Sequence, residues 1–335
     1  MLRIFLGLTL IFGSLVLPDI NTVRQFSILK AKTTTTDSRY SSIYLVVSLV
    51  WTGQKISKSD LQQYDKLRED FPSLKVFHFI SGKYFIDQNK NNNLDIFRKV
   101  IKKHDNAGLY LAPWASLVTA SGINDRSSQE HSFWGSRPAY HQKDWGMDTF
   151  MDAYTVAELD QFFEENRSIA TETDLIDPEV AMVAGWNGSQ KVRASLIRAG
   201  FKVDFSPINP ISLQHSLSNY PGFEKVKRDW SNISYTSRPK NIRSHIGQMI
   251  QIPQNFGTID YISPKRTQEK LNIYLSKIKN NQSAHIVQLS LFSKTLNRNY
   301  PKLKKVIQMA IEASKKYQFK LVSTAYPHKR IRLSH

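Results

Sequence analysis

Few residues in this chain are placed to do chemistry. Histidine and carboxylate side chains come close together in sequence mainly in the long aromatic stretch Asn124–Tyr154, at His131, His141 and Asp144. Such a set could supply ligands to a divalent metal. His78 sits inside an apolar run, where a histidine is usually a hydrogen-bonded core residue. Asp87-Gln88-Asn89-Lys90-Asn91 begins like a calcium loop. Its sixth position is Asn92 rather than glycine and its twelfth is Arg98 rather than an acid, so a solvated turn is expected. No G-x-S-x-G elbow is present, and no glycine-rich phosphate loop follows an apolar run. The chain has no cysteine, which excludes disulfides, thiolate nucleophiles and Cys-ligated zinc.

The elements that would position these residues alternate. Ile43–Leu49 reads as a buried strand, Ser59–Asp70 as a helix closed by Pro72, and Leu74–Ile80 as a second strand. Asn93–Lys103 is a helix and Gly108–Leu111 a third strand. Thr155 caps a helix over Val156–Ile169, with Glu158 completing a capping box. Then come a strand at Val180–Ala184, a helix at Gln190–Ala199 ended by Gly200, and a strand at Phe201–Phe205. Residues 206–243 show no clear period. Gly247–Ile252, His285–Leu291 and Lys320–Ala325 read as strands, and Thr267–Lys279 and Leu303–Tyr317 as helices. About seven strand–helix units over ~290 residues suit an irregular (β/α) barrel of the α/β class.

A barrel of this kind places its chemistry at the C-terminal ends of its strands. Four segments fall there: Val47-Ser48-Leu49-Val50-Trp51-Thr52-Gly53, Gly108-Leu109-Tyr110-Leu111-Ala112-Pro113-Trp114, Val183-Ala184-Gly185-Trp186 and Ile250-Gln251-Ile252-Pro253-Gln254-Asn255. None carries Asp, Glu or His. In order and context they resemble the polysaccharide deacetylase family, also called NodB-homology or carbohydrate esterase family 4. The likeness is to a bacterial branch with a V-S-x-D-W-E-G opening, a G-L-H-x-H-P-W second motif and an F-R-A-G-x-W third. Ser132-Phe133-Trp134-Gly135 and Ala153-Tyr154-Thr155-Val156-Ala157-Glu158-Leu159 fit that branch as well. The likeness spans residues 43–325 and implies the NodB type of barrel.

In that family an acid and two histidines hold a metal, usually zinc, that polarises an acetamide carbonyl and activates water. The resemblance places the base Asp on Val50 and the acid after the tryptophan on Thr52. It places the two histidines on Tyr110 and Ala112, the orienting Arg on Val183, and the late histidine near Leu291 or Phe292. The chain therefore resembles a degenerate member without catalytic residues. No cofactor is expected, and zinc only if displaced ligands such as His131 and His141 rebuild a site. The retained or nearby groups Trp51, Trp114, Trp134, Trp186, Asn187 and Asn255 are candidates for sugar contact, against the plainer reading of core aromatics at a barrel rim.

Composition sets the surroundings. The 335 residues are 41% hydrophobic and 11% aromatic, enough for one large core. Arg3 followed by the apolar Ile4–Leu17 reads as a signal peptide or an uncleaved anchor over residues 1–17, with a linker over 18–42 and a basic tail over 326–335. The formal net charge of +18 favours anionic surroundings. For an exported chain these are envelope polymers rather than nucleic acid. Lys302, Lys304, Lys305, Lys315 and Lys316 on the late helix form a basic group that is read first as a solvated face. The expected function is an exported, periplasmic or extracellular protein that binds an envelope polysaccharide, peptidoglycan or another N-acetylated amino-sugar polymer, without cleaving it. The rival readings are an active metal-dependent N-deacetylase with displaced ligands, and a basic protein that docks on an anionic surface or a protein partner.

Overall fold

The run Ile43–Leu49 is apolar on both faces, the pattern of a central parallel strand covered on either side. In the computed structural model, which describes residues 42–86, 89–136, 144–278 and 285–325, this run is the middle of β1, Ser42–Trp51. Val47–Trp51 pair in parallel with β2, Val76–Ser81. Ile43–Val50 pair on the other edge with β8, His285–Phe292, and the first four residues of β1 pair with β9, Lys320–Ser323. Outward from β2 follow β3, Asn106–Leu111, β4, Asp177–Val183, β5, Val203–Asp204, β7, Gly247–Gln251, and the edge strand β6, Lys240–Ser244. Every pairing is parallel except β6 with β7. The sheet curls, and bridges from Gln254 to Ile208 and from Thr258 to Ser290 join the segment after β7 to both sides. The result is the irregular (β/α) barrel expected from the alternation.

The helices are α1, Lys58–Asp70, α2, Lys90–Val100, α3, Ala115–Ala120, α4, Val156–Thr173, α5, Gln190–Arg198, α6, Pro210–Leu217, α7, Pro221–Asp229, α8, Pro264–Ile278, and α9, Leu296–Lys316. Four of these findings correct the sequence reading. Residues 206–243 hold α6, α7 and β6, where no period was legible. Helix α3 is also new. Helix α9 begins at Leu296 and runs through Pro301, rather than starting after it. Ser42 belongs to β1 and not to a linker. The calcium-like segment enters α2 at Lys90. Residues 1–41, which hold the proposed export segment, and the tail 326–335 lie outside the described residues. Among the described residues no helix is long and apolar enough to cross a membrane.

One polar network braces the outer side of β1 and β2. His78 is fully buried and accepts a hydrogen bond at Nδ1 from Trp51 Nε1 at 3.1 Å. Its Nε2 therefore carries the proton and faces Asp105 at 3.5 Å and the Tyr64 hydroxyl at 3.4 Å. Asp105 also accepts from the Val76 and Lys102 backbone amides at 2.9 Å each, and from Arg68 at 3.1 and 3.2 Å. Burial, with a smaller push from Arg68, holds the His78 pKa below its ordinary 6.5. As pH falls through 6.5 the unfolded chain takes up this proton and the folded one resists it, so stability is present above 6.5 and lost below it. The urea midpoint is expected to fall between pH 7.5 and 5.5, and a His78→Gln variant to lose that part of the slope. An unchanged slope in the variant would assign the acid sensitivity elsewhere.

Candidate functional site

Cα partners in a parallel pair point to the same face, so the pairing sorts the strand ends. Val46, Ser48 and Val50 share a face with Gln288, Ser290 and Phe292, and with Phe77 and Phe79. This is the barrel interior. Phe205 on the far side meets Phe77 at 4.9 Å and Phe79 at 5.0 Å between ring centres. Gln254 and Thr258 meet Ser290 by hydrogen bonds of 2.5 and 2.8 Å. Those rings and polar groups fill the middle of the barrel, and what remains accessible is its mouth.

At the mouth stand Val50, Thr52, Tyr110, Ala112 and Phe292 from the strand ends. Near them lie residues 130–136 and 144–150, Tyr220 at the start of α7 and Tyr261 from the loop before α8. Tyr110 is mostly buried. Burial, and then the charges of Tyr261 and Asp148, hold its phenol protonated well above the ordinary range. Asp148 accepts from the Ser132 hydroxyl at 2.5 Å, and its backbone oxygen accepts from the Phe133 amide at 2.9 Å. The same loop carries Trp134, whose ring meets Tyr220 edge-on at 4.9 Å and 87°. Tyr261 lies 6.4 Å from Phe292, and Trp186 lies 6.0 Å from Tyr261 and 6.5 Å from Phe292. Trp134, Tyr261 and Phe292 are half-buried, and Tyr220 is 39% exposed. These four rings keep surface open to solvent.

Two devices hold the aromatic rings in place. The half-buried Asp260 accepts from the Phe292 amide at 3.1 Å, from Asn299 at 3.0 Å and from the Thr295 hydroxyl. This ties the Tyr261 loop to the end of β8 and the start of α9. Trp186 adopts a left-handed φ of 51°, a conformation that costs a bulky residue roughly 1–2 kcal/mol. Trp230 Nε1 holds it by donating to its carbonyl at 2.6 Å. Gly188 allows that approach, because a Cβ there would sit 1.9 Å from the Trp230 ring. Gly188→Ala is expected to cost about 1–3 kcal/mol through overpacking. It is also expected to quench or shift the tryptophan emission by displacing Trp230. A variant as stable as the parent would mean that this packing does not set the Trp186 turn.

The structure redistributes the sugar-contact candidates. Trp51 points to the opposite face from Val50, is 1% exposed, and spends its N–H on His78. Trp114 is fully buried under the end of β1, donating to the Thr52 carbonyl at 2.7 Å, with the Lys83 ammonium 3.8 Å from its ring centre. Gly53, at φ +98°, leaves the space that Trp114 fills. Asn187 donates to Asp152 at 3.2 Å, and Asn255 bonds the Tyr235 and Ile286 carbonyls and the Gln288 amide. These four groups and the Trp186 ring, 6% exposed, are occupied inside the fold and offer no open face. Trp134 does. Tyr220, Tyr261 and Phe292 were not singled out from sequence as sugar contacts, although Phe292 was one of two positions matched to the late histidine.

Of the positions matched to catalytic residues, Val50, Thr52, Tyr110 and Ala112 do gather at the mouth. Val183 follows the inward Met182 and turns to the other face, its amide bonded to Ser206 at 2.9 Å. His131 directs Nδ1 to the Arg126 carbonyl at 3.0 Å, and His141 lies outside the described residues. Among the described residues no three His, Asp or Glu side chains converge. The phenol, aliphatic and ring groups at the mouth, beside the hydrogen-bonded Asp148, do not fit a zinc ion, which takes three or four convergent N, O or S donors.

No protein-family model and no curated protein matches this chain. Solved structures do. A protein of Mycobacterium smegmatis assigned as a polysaccharide deacetylase is 8% identical with a TM-score of 0.49, over 91% of this chain and 96% of that one. A family 4 carbohydrate esterase from Streptomyces lividans, solved with acetate, is 9% identical with a TM-score of 0.39, over 88% and 97%. A 4-alpha-glucanotransferase from Thermococcus litoralis is 11% identical with a TM-score of 0.45, over 87% of this chain and 41% of that one.

Proposed function

We propose that this protein binds an N-acetylated amino-sugar polymer of the cell envelope, such as peptidoglycan, and does not hydrolyse it. The observation that carries the reading is the ring set Trp134, Tyr220, Tyr261 and Phe292, left open near Tyr110 at a strand end and Asp148 of the segment before residue 151. Pyranose rings have apolar faces that pack on aromatic side chains, while a carboxylate and a phenol at the edge accept and donate hydrogen bonds to hydroxyl and amide groups. The motif resemblance in the sequence supports the same substrate class. Among the described residues the mouth lacks the donor set that metal-assisted deacetylation needs, and one missing acid or base group alone costs typically ~10²–10⁴-fold in rate. We place the protein outside the cytoplasm, on the strength of Arg3 and the apolar run Ile4–Leu17.

Co-sedimentation with purified peptidoglycan and with chitin tests this directly. The protein is expected in the pellet, and soluble oligosaccharides of N-acetylglucosamine are expected to release it. A protein that stays in the supernatant with both polymers would sink the reading.

A further inference from the structure

A second surface is built from cations that have no carboxylate partner among the described residues. Between Asp229 and Asp260 the chain has no acidic residue, yet it carries Arg238, Lys240, Arg243 and His245. This stretch forms the hairpin of β6 and β7 at the free edge of the sheet, with Lys240, Arg243 and His245 exposed. Helix α8 exposes Lys265, Arg266, Lys270 and Lys277 against one carboxylate, Glu269.

The segment leading into the hairpin meets α8 around Tyr235. The Phe256 ring packs on Tyr235 at 5.3 Å and on Tyr274 of α8 at 5.7 Å. The Lys270 ammonium lies 5.9 Å from the centre of the Tyr235 ring. The charge of Arg266 reaches the Tyr235 phenol, and that of Arg238 reaches the Tyr274 phenol. Among the described residues none of Arg238, Arg266 and Lys270 has a carboxylate within 4.0 Å. Elsewhere the fold does pair its cations, as in Arg126–Glu158, Arg198–Asp160 and Lys304–Asp70.

We propose that the face formed by Arg238, Arg266 and Lys270 around Tyr235 binds a phosphodiester-linked polyanion of the poly(glycerol phosphate) kind. Like charges held together without partners repel, and a ligand carrying spaced negative charges relieves that repulsion. The cations lie along a surface rather than around a pocket, which suits a chain of single charges better than one multiply charged small molecule. Two of the three are arginines, whose guanidinium fork matches phosphate oxygens in pairs. An anionic membrane is the poorer match, because Ile273 is the one large apolar side chain well exposed on α8 among the described residues, too little to insert.

The test compares the full chain with two variants of equal charge change. One is Arg238→Gln with Arg266→Gln and Lys270→Gln. The control is Lys99→Gln with Lys102→Gln and Lys103→Gln, exposed lysines at the end of α2 and just beyond it. Binding to poly(glycerol phosphate) is measured across a salt series, with thermal melting to confirm folding and chitin retention to confirm an intact mouth. The first variant is expected to lose roughly tenfold or more in affinity, and the slope of log K against log salt to shrink by about two to three, one unit or slightly less per lost contact. The control is expected to lose less than about threefold, since exposed charges farther than a Debye length are screened. Equal losses in both variants would overturn the proposal, as would absence of binding at low salt. Single-stranded DNA or anionic vesicles binding as tightly, with the same dependence on the three residues, would overturn the assignment to this polymer. Chitin retention in the first variant is expected to be unchanged, so failure here and failure of the glycan reading remain distinguishable.

Discussion

Asp105→Ala is expected to remove a large share of the folding stability. Asp105 is a buried acceptor for two backbone amides, the Arg68 guanidinium, the Tyr64 hydroxyl and the protonated nitrogen of His78. Deleting it strands the Val76 and Lys102 amides and leaves the Arg68 charge, only 15% exposed, without its partner. Breaking a buried pair in this way costs about 3–5 kcal/mol, against a total stability of about 5–15 kcal/mol for a domain. The same arrangement holds the Asp105 carboxyl below its ordinary value, although its burial pulls the other way. Its contribution is therefore present above the unfolded carboxyl range and is lost as pH falls through the lower folded value. Urea unfolding at pH 7.5 reads the effect as a large drop in midpoint with an unchanged slope. A loss under about 1 kcal/mol would mean that the network does not hold β1 to β2.

The second large effect is on ligand retention. Trp134→Ala and Tyr220→Ala each remove an open ring at the mouth; the two rings meet each other, and Trp134 also meets Phe133. Losing an aromatic contact and its buried apolar area costs about 1–2 kcal/mol, or roughly tenfold in affinity for each ring. The double variant is expected to lose between about tenfold and a hundredfold, because rings in mutual contact are not additive. Its melting temperature is expected to stay close to the parent's, since Trp134 packs on the core cluster only from outside and Tyr220 is 39% exposed. Trp51→Ala and Trp114→Ala are expected to do the reverse, lowering stability through large cavities. Retention unchanged in the Trp134 and Tyr220 double variant would remove the aromatic mouth from consideration as the glycan site.

The barrel was legible where periodicity was strong. β1 and β2 carry apolar residues on both faces and β8 is apolar on its outer face and buried throughout, the pattern of strands in a covered parallel sheet. Helices α6 and α7 were hidden by their own first residues. Pro210 and Pro221 read as breakers, whereas each stands at the first turn of a helix, where a missing N–H costs nothing. With α7 hidden, Tyr220 had no place in the site. The burial of Trp51 was available in principle: strict alternation along β1 puts Val50 inward and Trp51 outward. Trp114, Asn187 and Asn255 were not legible in this way. Their burial depends on contacts made across the fold, from Thr52, Asp152 and Ile286, which no local pattern encodes.

The central claim is that the mouth holds a glycan without cleaving it. The most direct test is one incubation of the full chain, with zinc added to the buffer, with N-acetylated chito-oligosaccharides and peptidoglycan fragments, followed by measurement of both retained glycan and released acetate in the same sample. The account predicts retained glycan and no acetate above the protein-free control. Acetate released in proportion to the protein, and abolished by a chelator, would contradict it.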